Sequence, residues 1–164
     1  MRYKTAPGPV ELVRLDTLEA AHAALPLVPE EVDDCCARVV ERTAVPDRED
    51  AREWITLMQA LGLAEKTPRG YRRVQTDLAA GALADGFAER VFGVAELLDA
   101  LEGAESLTPE EAFERLWPSV PAWERDRHAD PERVWTGRVQ RLLAWSVVFG
   151  LASQSGNRYA VDER

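Results

Sequence analysis

Cysteine and histidine are scarce in this 164-residue chain, which has two of each. The cysteines are neighbours, Cys35 and Cys36, and a disulfide between adjacent residues is strained and rare. A structural zinc site needs about four ligands, and only His22 and His128 could complete such a set. We therefore expect reduced cysteines that are partly buried on a helix, no metal ion and no cofactor.

Long apolar runs are also missing. No stretch approaches the roughly 20 apolar residues that span a membrane. Residues 1–5 are not followed by the apolar core of a signal peptide. With 46% hydrophobic and 30% charged residues, the composition is that of a globular protein. These features predict a cytoplasmic protein that does not enter a membrane.

Catalytic motifs are absent from the sequence as well. Gly81 and Gly86 lie in an alanine-rich helical stretch and not in a phosphate-binding loop. Carboxylates cluster at two presumed helix starts, namely Glu30, Glu31, Asp33, Asp34, Glu110, Glu111 and Glu114. Paired carboxylates can act as general acids and bases, but at helix starts of an acidic protein they are more typical of a solvated surface. We therefore predict that the chain is not an enzyme.

The charged residues are strongly biased. Acidic residues outnumber basic ones by 29 to 20, which gives a formal charge of −9, and lysine occurs only at Lys4 and Lys66. The acidic, lysine-poor composition resembles that of proteins from salt-loving archaea, although a high-GC bacterium would give a similar ratio of arginine to lysine. Carboxylates hold hydration and keep the net charge away from zero, which favours solubility.

An internal repeat is the clearest signal in the sequence. When Gly62 is aligned with Gly150, residues 61–64 (LGLA) face residues 149–152 (FGLA), and Tyr71 faces Tyr159 without a gap. Upstream, residues 28–31 resemble residues 108–111, with extra residues around 123–130 that absorb the change in spacing. The same order of features in both halves predicts two copies of one structural unit.

Local signals predict the elements of each copy. For the first half we expect helices over residues 15–25, 29–42 and 48–61, then strands over 63–66 and 71–74. In the third helix, Trp54, Leu57, Met58 and Leu61 have the spacing of one apolar face. Gly62 follows where a left-handed residue ends a helix, and residues 67–70 have the composition of a turn.

The second half repeats these signals. Thr108, Pro109 and Glu111 have the pattern of a helix N-terminus with a capping box. Around it we expect residues 77–90 either to form a connecting helix or to extend the helix over 91–101. A helix over 134–149, a strand after Gly150, a turn over 154–157 and a strand over 158–161 complete the second half.

A helix pair, a glycine and a hairpin together resemble the back end of a winged helix-turn-helix domain. The resemblance implies that the helix before each hairpin is a recognition helix and that the hairpin is the wing. The expected fold is mainly α with small β-hairpins (α+β), built from two tandem winged-helix-like units. We call residues 1–76 unit 1 and residues 77–164 unit 2.

Unit 1 carries the candidate DNA contacts, namely Arg48, Arg52, Thr56, Lys66, Arg69, Arg72 and Arg73. Its wing, residues 65–73, has four cations and one anion, which suits phosphate contacts but also describes an ordinary arginine-rich surface hairpin. The helix opens with four acids and two arginines over residues 47–53. Those acids either stabilise the helix N-terminus or oppose DNA phosphates.

Unit 2 has a nearly neutral wing over residues 153–158 and a helix that is apolar on several sides. Its candidate interface residues, Trp135, Leu142, Trp145 and Phe149, either pack against unit 1 or form the interface of a homodimer.

The sequence leaves two functions open for the whole chain. The first is a transcriptional regulator that binds double-stranded DNA through unit 1. The second is a protein-interaction adaptor built from tandem winged helices.

Overall fold

The computed structural model describes residues 6–78 and 80–162 of the chain. Residues 1–5, on which the expectation of no signal peptide rests, lie outside the described part. The elements are α1 (Leu15–Ala24), α2 (Val32–Arg42), α3 (Arg48–Ala60), β1 (Ala64–Thr67), β2 (Gly70–Arg73), α4 (Ala80–Arg90), α5 (Val94–Glu102), α6 (Pro109–Leu116), α7 (Ala122–Asp126), α8 (Pro131–Val148), β3 (Ala152–Ser155) and β4 (Arg158–Val161). The predicted fold class, mainly α with two small antiparallel hairpins, is confirmed.

The helix and hairpin of unit 1 are joined as the sequence predicts. The Asp47 side chain caps α3 by accepting a hydrogen bond from the backbone N–H of Asp50 at 2.9 Å. Gly62 ends the helix with a φ of +77°, a left-handed conformation that glycine adopts without steric cost. The N–H of Leu63 then donates to the carbonyl of Met58 at 2.8 Å, and β1 leads directly into its partner β2.

Unit 2 repeats that junction. The capping box of Thr108 and Glu111 is present at the start of α6. Gly150 ends α8 with a φ of +72°, and the N–H of Leu151 donates to the backbone carbonyl of Ser146 at 2.8 Å. Strands β3 and β4 pair from Ala152–Val161 to Ser155–Arg158, which matches the register of β1 and β2 from Ala64–Arg73 to Thr67–Gly70.

In each unit, one extended residue before the second helix pairs with the second strand of the hairpin, at a third strand position. These pairs give a different upstream alignment of the two copies from the one that the sequence predicts. Glu30 and Tyr71 exchange backbone hydrogen bonds of 3.0 and 2.8 Å, and Leu107 and Tyr159 exchange two of 2.8 Å. Glu30 therefore corresponds to Leu107, and Pro29 does not correspond to Pro109. The prediction that Pro29 opens a helix is wrong, because the extended backbone at Glu30 delays the start of α2 until Val32.

The connection between the units differs from the prediction at the starts of two helices. Helix α4 begins at Ala80 and not at residue 77. Helix α5 begins at Val94 and not at residue 91, because Gly93 has a φ of +92° and separates it from α4. Helix α4 contacts unit 1, since the Arg90 guanidinium donates to the carbonyl of Ala60 at 3.2 Å. The boundary at residues 76 and 77 stays a prediction. Within the described residues, no helix combines the length and the apolar character that crossing a membrane requires.

The two units pack through the helices that precede their hairpins. Trp54 of α3 and Trp145 of α8 meet edge to face with ring centroids 5.2 Å apart. Their indole N–H groups donate to consecutive carbonyls of the N-terminal segment, Gly8 at 3.3 Å and Pro7 at 2.9 Å. Within unit 2, Phe87 of α4 packs against Phe149 next to this contact, with ring centroids 5.0 Å apart.

The candidate interface residues of unit 2 are buried inside the chain. The four candidate residues, Trp135, Leu142, Trp145 and Phe149, are all at most 3% exposed within the single chain. Their apolar surface is already used inside the chain, so it offers nothing to a second subunit in this arrangement. This burial favours internal packing, which is the other interpretation of these residues, and the homodimer stays a prediction.

Candidate nucleic-acid interface

The wing of unit 1 and the two helices beside it enclose an open groove of about 480 Å³. We call it the wing groove. It is lined by Glu31, Val32, Asp33, Arg52, Lys66, Thr67, Pro68, Arg69, Gly70 and Tyr71. Three of the predicted DNA contacts, Arg52, Lys66 and Arg69, meet in this groove, and all three are exposed.

The tip of the wing is held closely against the segment before α2. Gly70 has a φ of +122°, and a Cβ atom there would fall 1.9 Å from the carbonyl oxygen of Glu30. The Thr67 hydroxyl donates to the carbonyl of Gly70 at 2.9 Å and accepts from the N–H of Arg69 at 3.1 Å. These contacts give the wing tip a defined position relative to α2.

Replacing Gly70 with alanine should therefore destabilise the chain by more than replacing Gly156. Both positions have a positive φ, which costs alanine about 1–2 kcal/mol, but a Cβ at Gly156 would meet nothing within 4 Å. Only Gly70→Ala should also displace the wing from Glu30. Thermal unfolding of both variants tests this; equal losses of stability would mean that the contact with Glu30 is unimportant.

The other predicted contacts lie outside the groove. Arg72 is paired across the hairpin, where its Nε donates to Glu65 Oε2 at 2.7 Å. Arg73 is half-buried, and its backbone N–H donates to the carbonyl of Pro26 at 2.7 Å. Arg48 and Thr56 lie on the solvent side of α3, where the Thr56 hydroxyl donates to the carbonyl of Arg52 at 3.0 Å.

The N-terminal half of α3 is the accessible part of this helix. Arg48, Glu49 and Arg52 are exposed, and Ala51, Trp54 and Ile55 are buried. Towards the C-terminal end, helix α4 approaches closely, and a Cβ on Gly86 would lie 3.5 Å from the carbonyl oxygen of Ala60. A ligand of α3 therefore has access mainly to its first two turns.

The acids at the start of α3 do not all face the accessible side. Asp47 is the N-cap. Burial raises the pKa of Glu53, and Arg141 on α8 opposes that shift. The pKa of Asp50 is also raised, mainly by burial and further by the nearby Asp47 and Glu49 carboxylates, and Arg141 opposes this shift as well. Asp50 and Glu53 thus lie within electrostatic reach of unit 2, which favours a structural interpretation of these acids.

The cysteines are fully buried on α2, deeper than the sequence predicts, and both are free. The Cys35 Sγ lies 3.5 Å from the carbonyl oxygen of Glu30. Burial, reinforced by the Glu30 carboxylate, raises the pKa of Cys35 to about 11, and burial raises the pKa of Cys36. Both therefore stay protonated at neutral pH. Among the described residues, no group of three or more potential ligands could hold a metal ion.

A buried charge cluster in unit 2 was missed by the sequence interpretation. Glu124 is 2% exposed, and its carboxylate accepts a hydrogen bond from Arg138 at 2.8 Å. The side-chain nitrogens of His128 and Arg127 lie 3.3 and 3.5 Å from the same carboxylate. Burial raises the pKa of Glu124, but hydrogen bonds from Arg138 and His128 outweigh it, so the net pKa is lowered. The i, i+3 and i+4 spacing of Glu124, Arg127 and His128 was a visible signal.

Two helix–glycine–hairpin units with a third strand position define a tandem winged-helix protein, a class that is typically DNA-binding or regulatory and not enzymatic. A family model, the halobacterial double winged helix domain, matches residues 1–164, and the chain belongs to this family. The resemblance to winged helices, their tandem arrangement and the halophilic composition are thereby confirmed. No curated protein and no solved structure matches the chain.

Proposed function

We propose that this chain is a DNA-binding protein of transcriptional-regulator type whose reading surface lies in unit 1. The observation that carries the proposal is the convergence of Arg52, Lys66 and Arg69 on the wing groove. None of the three forms an ion pair within the described part of the chain. Cations without a carboxylate partner are available to phosphate oxygens.

The geometry of α3 is consistent with winged-helix docking. The N-terminal residues of a recognition helix contact base edges in the major groove, and the accessible half of α3 carries Arg48 and Arg52, with Thr56 one turn after Arg52. In this arrangement the wing lies along the phosphate backbone, with Arg69 at its tip next to the minor groove. Arg72 and Arg73 support the hairpin and contribute less to DNA.

The division of charge also favours unit 1. Residues 1–76 contain 11 basic and 13 acidic residues, whereas residues 77–164 contain 9 and 16. Most of the net negative charge therefore belongs to unit 2, which a polyanion would avoid. The single cation of the second wing, Arg158, is engaged by Ser106 at 2.7 Å and by Glu111 at 3.3 Å.

A protein-interaction adaptor is the second candidate. It is supported by the carboxylates of Glu31 and Asp33 in the same groove, which a protein partner with basic side chains could pair. Leu27 and Val28, 49% and 75% exposed, add apolar surface directly before the third strand position. Binding to a protein in the absence of any DNA affinity would favour this alternative.

A charge-matched pair of variants tests the DNA proposal. The groove variant is Arg52→Ala, Lys66→Ala and Arg69→Ala. The control is Arg42→Ala, Arg115→Ala and Arg133→Ala, three exposed arginines outside the groove without ion pairs in the described residues. Both lose three positive charges. Affinity for a mixed-sequence duplex is measured by fluorescence anisotropy across a salt series.

We expect the wild-type chain to bind, with an affinity that falls as salt rises. Each lost phosphate contact lowers the slope of log affinity against log salt by about 0.9, so the groove variant should show a much flatter dependence. The control should keep the wild-type slope. No binding by the wild-type chain at the lowest salt at which it stays folded would refute the proposal.

A further inference from the structure

The wing groove contains carboxylates as well as cations. Glu31 is the N-cap residue of α2 and Asp33 lies in its first turn, and both are exposed. Neither forms an ion pair with Arg52, Lys66 or Arg69, although all five residues line the same groove. A groove of this size thus presents both signs of charge to one ligand.

Helix stabilisation does not fully account for these two acids. Acidic residues are favourable at helix N-termini, but the Glu31 side chain makes no capping hydrogen bond with α2. Asp34 on the first turn of α2 is also acidic and does not line the groove. The helix would therefore keep an acidic first turn without Glu31 and Asp33.

Salt makes the position of these carboxylates more important than the net charge. The Debye length is only about 3 Å at 1 M salt, so charges far from a bound phosphate are screened. The carboxylates that line the groove are nearer to a phosphate bound there than most other acidic residues of the surface are, so salt screens them less. In concentrated salt, the groove residues therefore affect DNA affinity more than the overall charge of −9 does.

We propose that Glu31 and Asp33 limit the affinity of the wing groove for the DNA backbone. They repel a phosphodiester backbone and so weaken the binding of every duplex, whatever its sequence. The proposal rests on the DNA-binding function proposed above.

The test compares two variants that each gain two units of positive charge. The groove variant is Glu31→Gln with Asp33→Asn. The control is Glu19→Gln with Glu41→Gln, two exposed helical acids that lie outside the groove. Affinity for a mixed-sequence duplex is measured at low salt and at about 1 M salt, after circular dichroism has shown that both variants are folded. If the double groove variant does not fold, Glu31→Gln is compared with Glu19→Gln.

At low salt both variants should bind more tightly than the wild-type chain, because both reduce the net negative charge. At about 1 M salt the groove variant should stay about tenfold tighter, while the control returns to within about twofold of wild type. Equal affinities of the two variants at high salt would overturn the role of Glu31 and Asp33 and leave the DNA-binding proposal intact. The absence of binding by all three proteins at every salt would overturn the DNA-binding proposal itself.

Discussion

Replacing Trp145 with alanine should lower the free energy of unfolding by about 3–5 kcal/mol, the range typical of removing a large buried aromatic side chain. Trp145 is fully buried and packs against Trp54 of the other unit. Its indole N–H also holds the N-terminal segment through the carbonyl of Pro7. The substitution therefore leaves a cavity at the contact between the units and a buried carbonyl without its donor.

Trp123→Ala is the matched control, because Trp123 is 56% exposed. Chemical denaturation followed by far-ultraviolet circular dichroism measures both variants. We expect the control to lose much less stability than Trp145→Ala. Similar losses in the two variants would contradict the burial of Trp145 between the units.

Replacing Glu124 with leucine should also lower the free energy of unfolding by about 3–5 kcal/mol, because breaking a buried ion pair leaves the partner's charge uncompensated. Arg138 is 12% exposed at its side chain and donates to Glu124 at 2.8 Å. It also lies over the ring of Trp135 at 4.9 Å from the centroid. Loss of the carboxylate would thus disturb the contact between α7 and α8. Glu132→Leu, at an exposed position of α8, is the control.

The same cluster predicts a pH dependence. The pKa of Glu124 is lowered in the folded state, so its stabilisation is fully present above the unfolded pKa of about 4.3 and is lost as pH falls through the folded value. Between about pH 5 and about pH 3, the wild-type chain should lose more stability than Glu124→Gln. Parallel stability curves for the two proteins would show that Glu124 is not stabilised as a carboxylate.

Elements with a local cause were predictable from the sequence. The cap at Thr108 and the glycines at 62 and 150 act through residues a few positions away, and each is found at its predicted place. The start of α2 was not predictable in this way. It depends on a backbone pairing between Glu30 and Tyr71, which are distant in the sequence, and no local pattern reports such a pairing.

The candidate site was predictable only in part for the same reason. The sequence indicated a basic wing and a stripe of polar residues on the helix. It did not show that Arg52 meets Lys66 and Arg69, because that depends on how the hairpin packs against Glu30. Nor did it decide between internal packing and a subunit interface for Trp145, since an apolar helix face is equally suited to both.

Crosslinking from the two wing tips tests the central claim most directly. Pro68→Cys and Asn157→Cys place single reactive thiols at exposed turn positions of the first and the second wing, while Cys35 and Cys36 are buried. Each variant is labelled with a photoactivatable crosslinker and irradiated with duplex DNA. If unit 1 is the reading surface, DNA should be crosslinked from position 68 and not from position 157. Crosslinking from position 157 alone, or from neither position when DNA is bound, would contradict a DNA interface at the first wing.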